Sequence, residues 1–172
     1  MMRYRSGDLA AFESLYRRHR DPLYRYFLRS VPQEAVAAEL FQESWAAVIG
    51  ARARYEAQAK FTTWLYRIAH NKLIDHFRQA HPTVSLDDSE EPPAPVAERP
   101  DAVAESASTA RRLLDALARL PLPQRSAFLL KEEGGMSLEE IADTLGVGRE
   151  TVKSRLRYAL VKLRSELSDV WP

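Results

Sequence analysis

The sequence predicts an all-α protein built from two small helical domains, and three observations carry that prediction. Apolar residues recur at i, i+3, i+4 and i+7 over long stretches, the period of an amphipathic helix, and nowhere alternate as a half-buried strand requires. A proline-rich acidic segment interrupts the pattern near the middle of the 172 residues. Beyond it, "SLEEIADTLGVGRETVKSRL" holds two helical patterns joined by a glycine turn. The chain accordingly divides into a first domain over 1–81, a flexible acidic linker over 82–107 and a second domain over 108–172.

In the first domain, residues 8–30 read as helix with a break or kink at Pro22, since proline lacks the backbone donor and crowds the preceding turn. A second helix runs from about Pro32, a favourable first-turn residue, to Ile49. Val36, Ala37, Leu40, Phe41 and Val48 form its apolar face, and Glu39, Gln42, Glu43 and Ala46 the opposite stripe. After the loop "GARARYEAQAK", residues 62–79 make a third helix whose buried face is Phe61, Trp64, Leu65, Ile68 and Ala69, continued by Leu73 and Phe77. Three polar residues of this helix, Arg67, Asn71 and Arg78, share one stripe at i, i+4 and i+11.

Five of the ten prolines fall in "PTVSLDDSEEPPAPVAERPDAVAESAS", which has no apolar period and so reads as an extended linker. The second domain reads as four short helices, 108–119, 123–133, 137–145 and 149–167. Pro121 and Pro123 separate the first two, and Gly134 and Gly135 end the second.

The last two of these helices form a helix-turn-helix. Ser137 with Glu140 makes a capping box, each side chain satisfying a free donor at the helix start. Leu138, Ile141, Ala142 and Leu145 make one face, and Gly146 supplies the left-handed turn. Val152, Leu156, Ala159, Leu160, Leu163 and Leu167 are expected on the inner face of the following helix. Its outer face carries Glu150, Ser154, Arg157 and Tyr158, with Thr151 nearby and Lys153 and Arg155 flanking. Residues 149–164 hold six Lys/Arg and one acid, the composition of a helix that enters a major groove while its edges meet phosphates.

Charge is segregated in the same way. Residues 1–81 carry 13 Lys/Arg against 8 Asp/Glu, residues 82–110 carry 1 against 7, and residues 111–172 carry 11 against 9. Two basic blocks therefore flank an acidic one, a pattern that suits solvated helix faces as well as a polyanionic partner, since the excess is small. No apolar run approaches the roughly 18 residues of a membrane helix, and the N-terminal stretch has no apolar core or cleavage site, so a cytoplasmic location without membrane insertion is expected. The absence of cysteine removes disulfides, thiolate metal sites and thiol nucleophiles.

Four segments, "AELFQESWAAV", "FTTWLYRIAHNKLIDHFR", "LPLPQRSAFLL" and "MSLEEIADTLGVGRETVKSRL", resemble in this order successive parts of the extracytoplasmic-function (ECF) sigma factors of the sigma-70 family. The resemblance spans about residues 8–79 and 108–166. It implies a region 2 domain and a region 4 domain, with core RNA polymerase (β′ clamp and β flap), promoter DNA and an anti-sigma factor as partners. By the same resemblance, Glu39, Leu40, Gln42 and Glu43 dock on the polymerase. Arg52, Arg54, Tyr55, Lys60, Phe61, Arg67 and Asn71 meet the melted minus-10 strand, where aromatic rings stack an unpaired base and cations hold its phosphates. Trp64 and Tyr66 belong to the same aromatic group. Arg149, Glu150, Thr151, Lys153, Ser154, Arg155, Arg157 and Tyr158 read the minus-35 duplex. One departure stands out: the family pattern "R-L-x-R-A" is here "R-L-R-Y-A", so Tyr158 replaces the usual arginine.

Other chemistries find little support. "HRD" at 19–21 matches part of a kinase catalytic loop, but Tyr26 stands where the asparagine belongs. His70, His76 and His81 are too irregularly spaced for a metal face, and Asp87, Asp88, Glu90 and Glu91 lack the glycine turn of a calcium loop. No catalytic residues, metal or cofactor are expected, and the alternative to a sigma factor is a stand-alone helix-turn-helix regulator binding operator DNA.

Overall fold

The computed structural model describes residues 1–80 and 104–168. They form α1 (Met2–Arg5), α2 (Leu9–Ser30), α3 (Glu34–Gly50), a 3-10 turn (Arg52–Arg54), α4 (Phe61–Ala80), α5 (Ala104–Ala118), α6 (Leu122–Glu132), α7 (Leu138–Leu145) and α8 (Arg149–Glu166). No strand occurs among the described residues. The all-α expectation is met. The acids Asp87, Asp88, Glu90 and Glu91 lie outside the described residues.

Three boundaries differ from the sequence reading. Asp8 caps α2 by accepting a bond from the Ala11 amide at 3.0 Å, and the helix then runs through Pro22 without interruption. The carbonyl that proline leaves free belongs to Arg18, an exposed residue, so water is at hand to satisfy it. A further short helix, α1, precedes it and buries Tyr4 against Phe12, ring centroids 4.8 Å apart. Residues 104–107, assigned above to the linker, are helical. Alanine and glutamate there favour helix strongly enough to extend α5 backwards.

Helices α2, α3 and α4 pack into the first unit. Leu23, Tyr26 and Phe27 of α2, Ala37 and Val48 of α3, and Leu65, Ala69 and Leu73 of α4 are all fully or almost fully buried. Phe12, Tyr16, Phe41 and Trp45 tie α2 to α3 through edge and tilted ring contacts, with Tyr16 and Trp45 at 5.0 Å. The second unit closes α5 through α8 around Leu117, Leu120, Leu129, Leu130, Met136, Ile141, Val152 and Ala159. Gly134 is required by space, because a Cβ there would stand 2.6 Å from the Leu130 carbonyl oxygen.

The two units are docked on each other. α2 rests on α5 and α6, and α4 on α7. Arg125 of α6 is buried and donates to the carbonyl of Ser30 at the end of α2, at 2.9 Å.

Candidate nucleic-acid interface

The helix-turn-helix is built as its sequence dictates. The Glu140 amide donates to Ser137 Oγ at 3.2 Å, and the Ser137 amide donates to Glu140 Oε2 at 2.8 Å, completing the capping box. Gly146 ends α7 at φ +66°, a left-handed conformation that glycine adopts without strain. Val152, Ala159, Leu163 and Leu167 hold α8 against the core. Leu160 does not join them. It is 55% exposed, because it lies about 100° around the helix from Ala159, beyond the edge of the buried stripe.

The polar face of α8 stands open over its first turns. Arg149, Glu150, Thr151, Lys153, Arg157 and Tyr158 are exposed, and Ser154 and Arg155 are half-buried. Two of the cations are held by acids, Arg149 by Glu139 at 2.6 Å and Lys153 by Glu150 at 2.7 Å. Arg157 lies over the Tyr158 ring, 5.1 Å from its centroid. These contacts position side chains that remain exposed to solvent.

In the first unit, the 3-10 turn and the loop after it fold against the start of α4 and form an open-mouthed cavity of about 340 Å³. Arg54, Tyr55, Glu56, Gln58, Thr63, Trp64 and Arg67 line it, with Ala51 and Ala59. Tyr55 is buried, its ring edge-on to Trp64 at 4.8 Å and its carbonyl accepting from Arg5 at 2.8 Å. It therefore shapes the cavity and does not lie open as a free stacking platform. Phe61 is half-buried between His19 and Trp64. Arg52 is pinned 4.7 Å above the Tyr4 ring. Arg67 and Asn71 are exposed one turn apart on α4, Arg67 at the cavity and Asn71 beyond it. A lined concavity of this size, with two guanidiniums against the one carboxylate of Glu56 and with aromatic walls, has the chemistry to take a flipped base and hold its backbone.

The stripe on α3 is split by burial. Glu39, Gln42 and Glu43 are exposed, and Glu43 pairs with Lys72 at 3.1 Å. Leu40 is only 4% exposed and packs in the core, so it supports the stripe from behind and cannot itself touch a partner.

Sequence reasoning missed the contact between the two units. Thr63, Tyr66 and His70 of α4 are buried under the second unit. The Tyr66 hydroxyl donates to the Glu133 carbonyl at 2.9 Å, so this ring is withdrawn from the aromatic group expected to meet a base. Thr63 donates to Glu140 Oε1 at 2.9 Å, and Lys60 pairs with the same oxygen at 3.2 Å. The Ser137 amide chiefly, then Thr63 and Lys60, hold the Glu140 carboxyl below the usual carboxylate range. Glu133, whose side chain is 4% exposed, receives Arg25 at 2.9 Å and also Arg29, both from α2. Burial pushes the His70 imidazole down to about 4, and the Arg155 charge adds to the effect. His70 stands 3.3 Å from the Tyr26 hydroxyl. The spacing i, i+3, i+7 of Thr63, Tyr66 and His70 was the available signal, a second stripe of half-polar residues beside the apolar face.

Among the described residues, no helix is long and apolar enough to cross a membrane, and no three His, Cys, Asp or Glu side chains converge on a common metal position.

Comparison with known proteins completes the picture. The model of Sigma-70 region 2 matches residues 15–83, and that of Sigma-70 region 4 matches residues 110–163. The chain is 33% identical to the RNA polymerase sigma factor CarQ of Myxococcus xanthus, over 99% of this chain and 97% of that protein. It is 34% identical to the ECF RNA polymerase sigma factor SigM of Mycobacterium tuberculosis, over 92% of this chain and 78% of the relative. Among solved structures, CnrH in complex with the cytosolic domain of CnrY shares the fold, with a TM-score of 0.73, 24% identity and coverage of 98% and 95% of the two chains.

Proposed function

The chain belongs to the ECF sigma factors of the sigma-70 family, and from that premise we propose how its two units divide the work of promoter recognition. α8 enters the major groove of the minus-35 duplex, with Glu150, Thr151, Ser154, Arg157 and Tyr158 toward base edges and Arg149, Lys153 and Arg155 toward phosphates. The cavity between the 51–59 loop and α4 takes a base of the melted minus-10 strand. Arg54 and Arg67 hold its phosphates, and Asn71 offers a donor and an acceptor to a neighbouring base edge. Glu39, Gln42 and Glu43 contact the polymerase β′ clamp, and the second unit the β flap. Polymerase performs the chemistry, and this chain acts without a catalytic step of its own. It works in the cytoplasm, restrained by an anti-sigma partner.

The observation that carries this reading is the pairing of two unlike nucleic-acid surfaces in one chain. A basic recognition helix suits duplex, and a concave aromatic and cationic pocket suits an unpaired strand. A stand-alone operator-binding regulator has no use for the second. The test is transcription in vitro with purified bacterial core polymerase and genomic fragments, with start sites mapped. Defined starts that need both components are expected, whereas DNA binding without core and without initiation overturns the reading.

A further inference from the structure

The short helix α1 stands against the strand cavity without lining it. Four residues are too few for a helix to persist alone, so α1 is held by its side chains. Tyr4 is 5% exposed and packs on Phe12 of α2. Gly7, at φ +106°, turns the chain between the two helices, its amide donating to the Tyr4 carbonyl at 3.0 Å, and Arg3 pairs with Asp8 at 2.7 Å. Folded back in this way, α1 meets the 3-10 turn at two points. The Arg52 guanidinium lies over the Tyr4 ring, and Arg5 Nη1 donates to the Tyr55 carbonyl at 2.8 Å. The other backbone bonds of this loop are local: the Arg54 amide to the Ala51 carbonyl at 3.1 Å, Tyr55 to Arg52 at 3.4 Å and Gln58 to Glu56 at 2.9 Å. Among the described residues, the Arg5 bond is the one hydrogen bond that ties 51–59 to a distant part of the chain. Tyr55 lines both the cavity and a second groove between α1 and α2, where Met2, Ser14 and Arg18 stand. Its ring is therefore a partition between two hollows, and any shift of its backbone moves the cavity wall.

Building on the reading of this cavity as the strand site, we propose that α1 is a brace for it: Tyr4 and Arg5 are positioning residues that hold the 3-10 turn, and with it Arg54 and Tyr55, where the incoming strand needs them. Neither side chain lines the cavity, so both act through the loop. The physical gain is preorganisation. A loop tied only to its own turns has to be ordered when the base arrives, and that ordering weakens capture. The Arg5 bond orders it during folding instead. Arg52, held on the Tyr4 ring, is on this reading a support for the turn and not a phosphate contact.

The experiment uses polymerase reconstituted with the full chain and a promoter taken from the start sites mapped in vitro, with opening followed by permanganate reactivity of the minus-10 strand at saturating promoter. Arg5→Ala is expected to lower opening about three- to tenfold, the worth of one partly exposed hydrogen bond, with core binding and minus-35 duplex binding unchanged. Arg5→Lys keeps a donor and should recover part of the loss. Tyr4→Leu keeps an apolar contact with Phe12, removes the ring under Arg52 and changes no charge, and it should lower opening in the same direction. In the free protein, hydrogen exchange of the amides of 52–59 should quicken in Arg5→Ala while those of α3 and α6 hold. Unchanged opening in Arg5→Ala, while Arg67→Ala still lowers it, overturns the brace. So does a fall in core binding as large as the fall in opening, which marks general destabilisation. A loss of opening without faster loop exchange, and with Tyr4→Leu silent, marks Arg5 as a direct phosphate contact and overturns it too. No effect of Arg67→Ala overturns the strand reading itself, and loop exchange then still decides whether Arg5 holds the turn.

Discussion

Replacing Glu133 by alanine should loosen the two units without unfolding either. The carboxylate is 4% exposed and makes two charge-assisted contacts, one to Arg25 and one to Arg29. Truncating one partner of a fully buried pair costs about 3–5 kcal/mol, because the remaining charge is left without water. Here the arginine side chains are 48% and 30% exposed, so both rehydrate when the acid is gone. Each contact is then worth about 1 kcal/mol, the upper end for partly solvated pairs. The sum, about 2 kcal/mol, shifts the docked-to-undocked ratio by about 30-fold. The Tyr66 bond survives, since it uses the Glu133 carbonyl. Because the chain has no cysteine, Arg17→Cys and Asp143→Cys give one exposed label site on each unit for distance measurement. A second population at longer distance should appear in Glu133→Ala, smaller in Glu133→Gln. Arg29→Ala added to Glu133→Ala should do less than it does alone. A docked fraction unchanged within about threefold, equivalent to about 0.6 kcal/mol, would refute the reasoning.

Three further outcomes follow from the same contacts. His70 has a folded value near 4 against an ordinary 6.5. The unfolded chain therefore takes up a proton between those values that the folded protein refuses, and stability is complete above about 6.5 and declines as the pH falls toward 4. The loss reaches about 3 kcal/mol, seen as a lower urea midpoint at pH 4.5 than at pH 7, and should vanish in His70→Asn. Ser137→Ala removes one half of the capping box and should cost about 1 kcal/mol in thermal or urea unfolding, with α7 the first segment to exchange. In the reconstituted polymerase, Arg67→Ala and Asn71→Ala should each reduce promoter opening, measured by permanganate footprinting, by about tenfold while core binding holds.

The helix-turn-helix and the longer helices were legible in the sequence, whereas α1, the continuity of α2 through Pro22 and the first turn of α5 were not. Ser137, Glu140 and Gly146 act on their own backbone, so their roles are local and survive any tertiary arrangement. The apolar stripe of α4 was equally plain, and Leu65, Ala69 and Leu73 went to the core as their spacing requires. Individual side chains at the edge of a stripe were less legible. Leu160 illustrates this, since it was expected on the inner face and stands exposed, and only the packed neighbour decides on which side of the edge a residue falls. The cavity needed the fold as well, because its walls come from a loop and a helix that touch only after α4 has docked. The interface between the units was the least accessible of all. Arg25, Arg29, Thr63, Tyr66 and His70 meet Glu133, Glu140 and Arg155 across separations of about 60 to 110 residues. A polar residue reads as solvated until its partner is known, and the partner is fixed by tertiary packing, not by spacing along the chain.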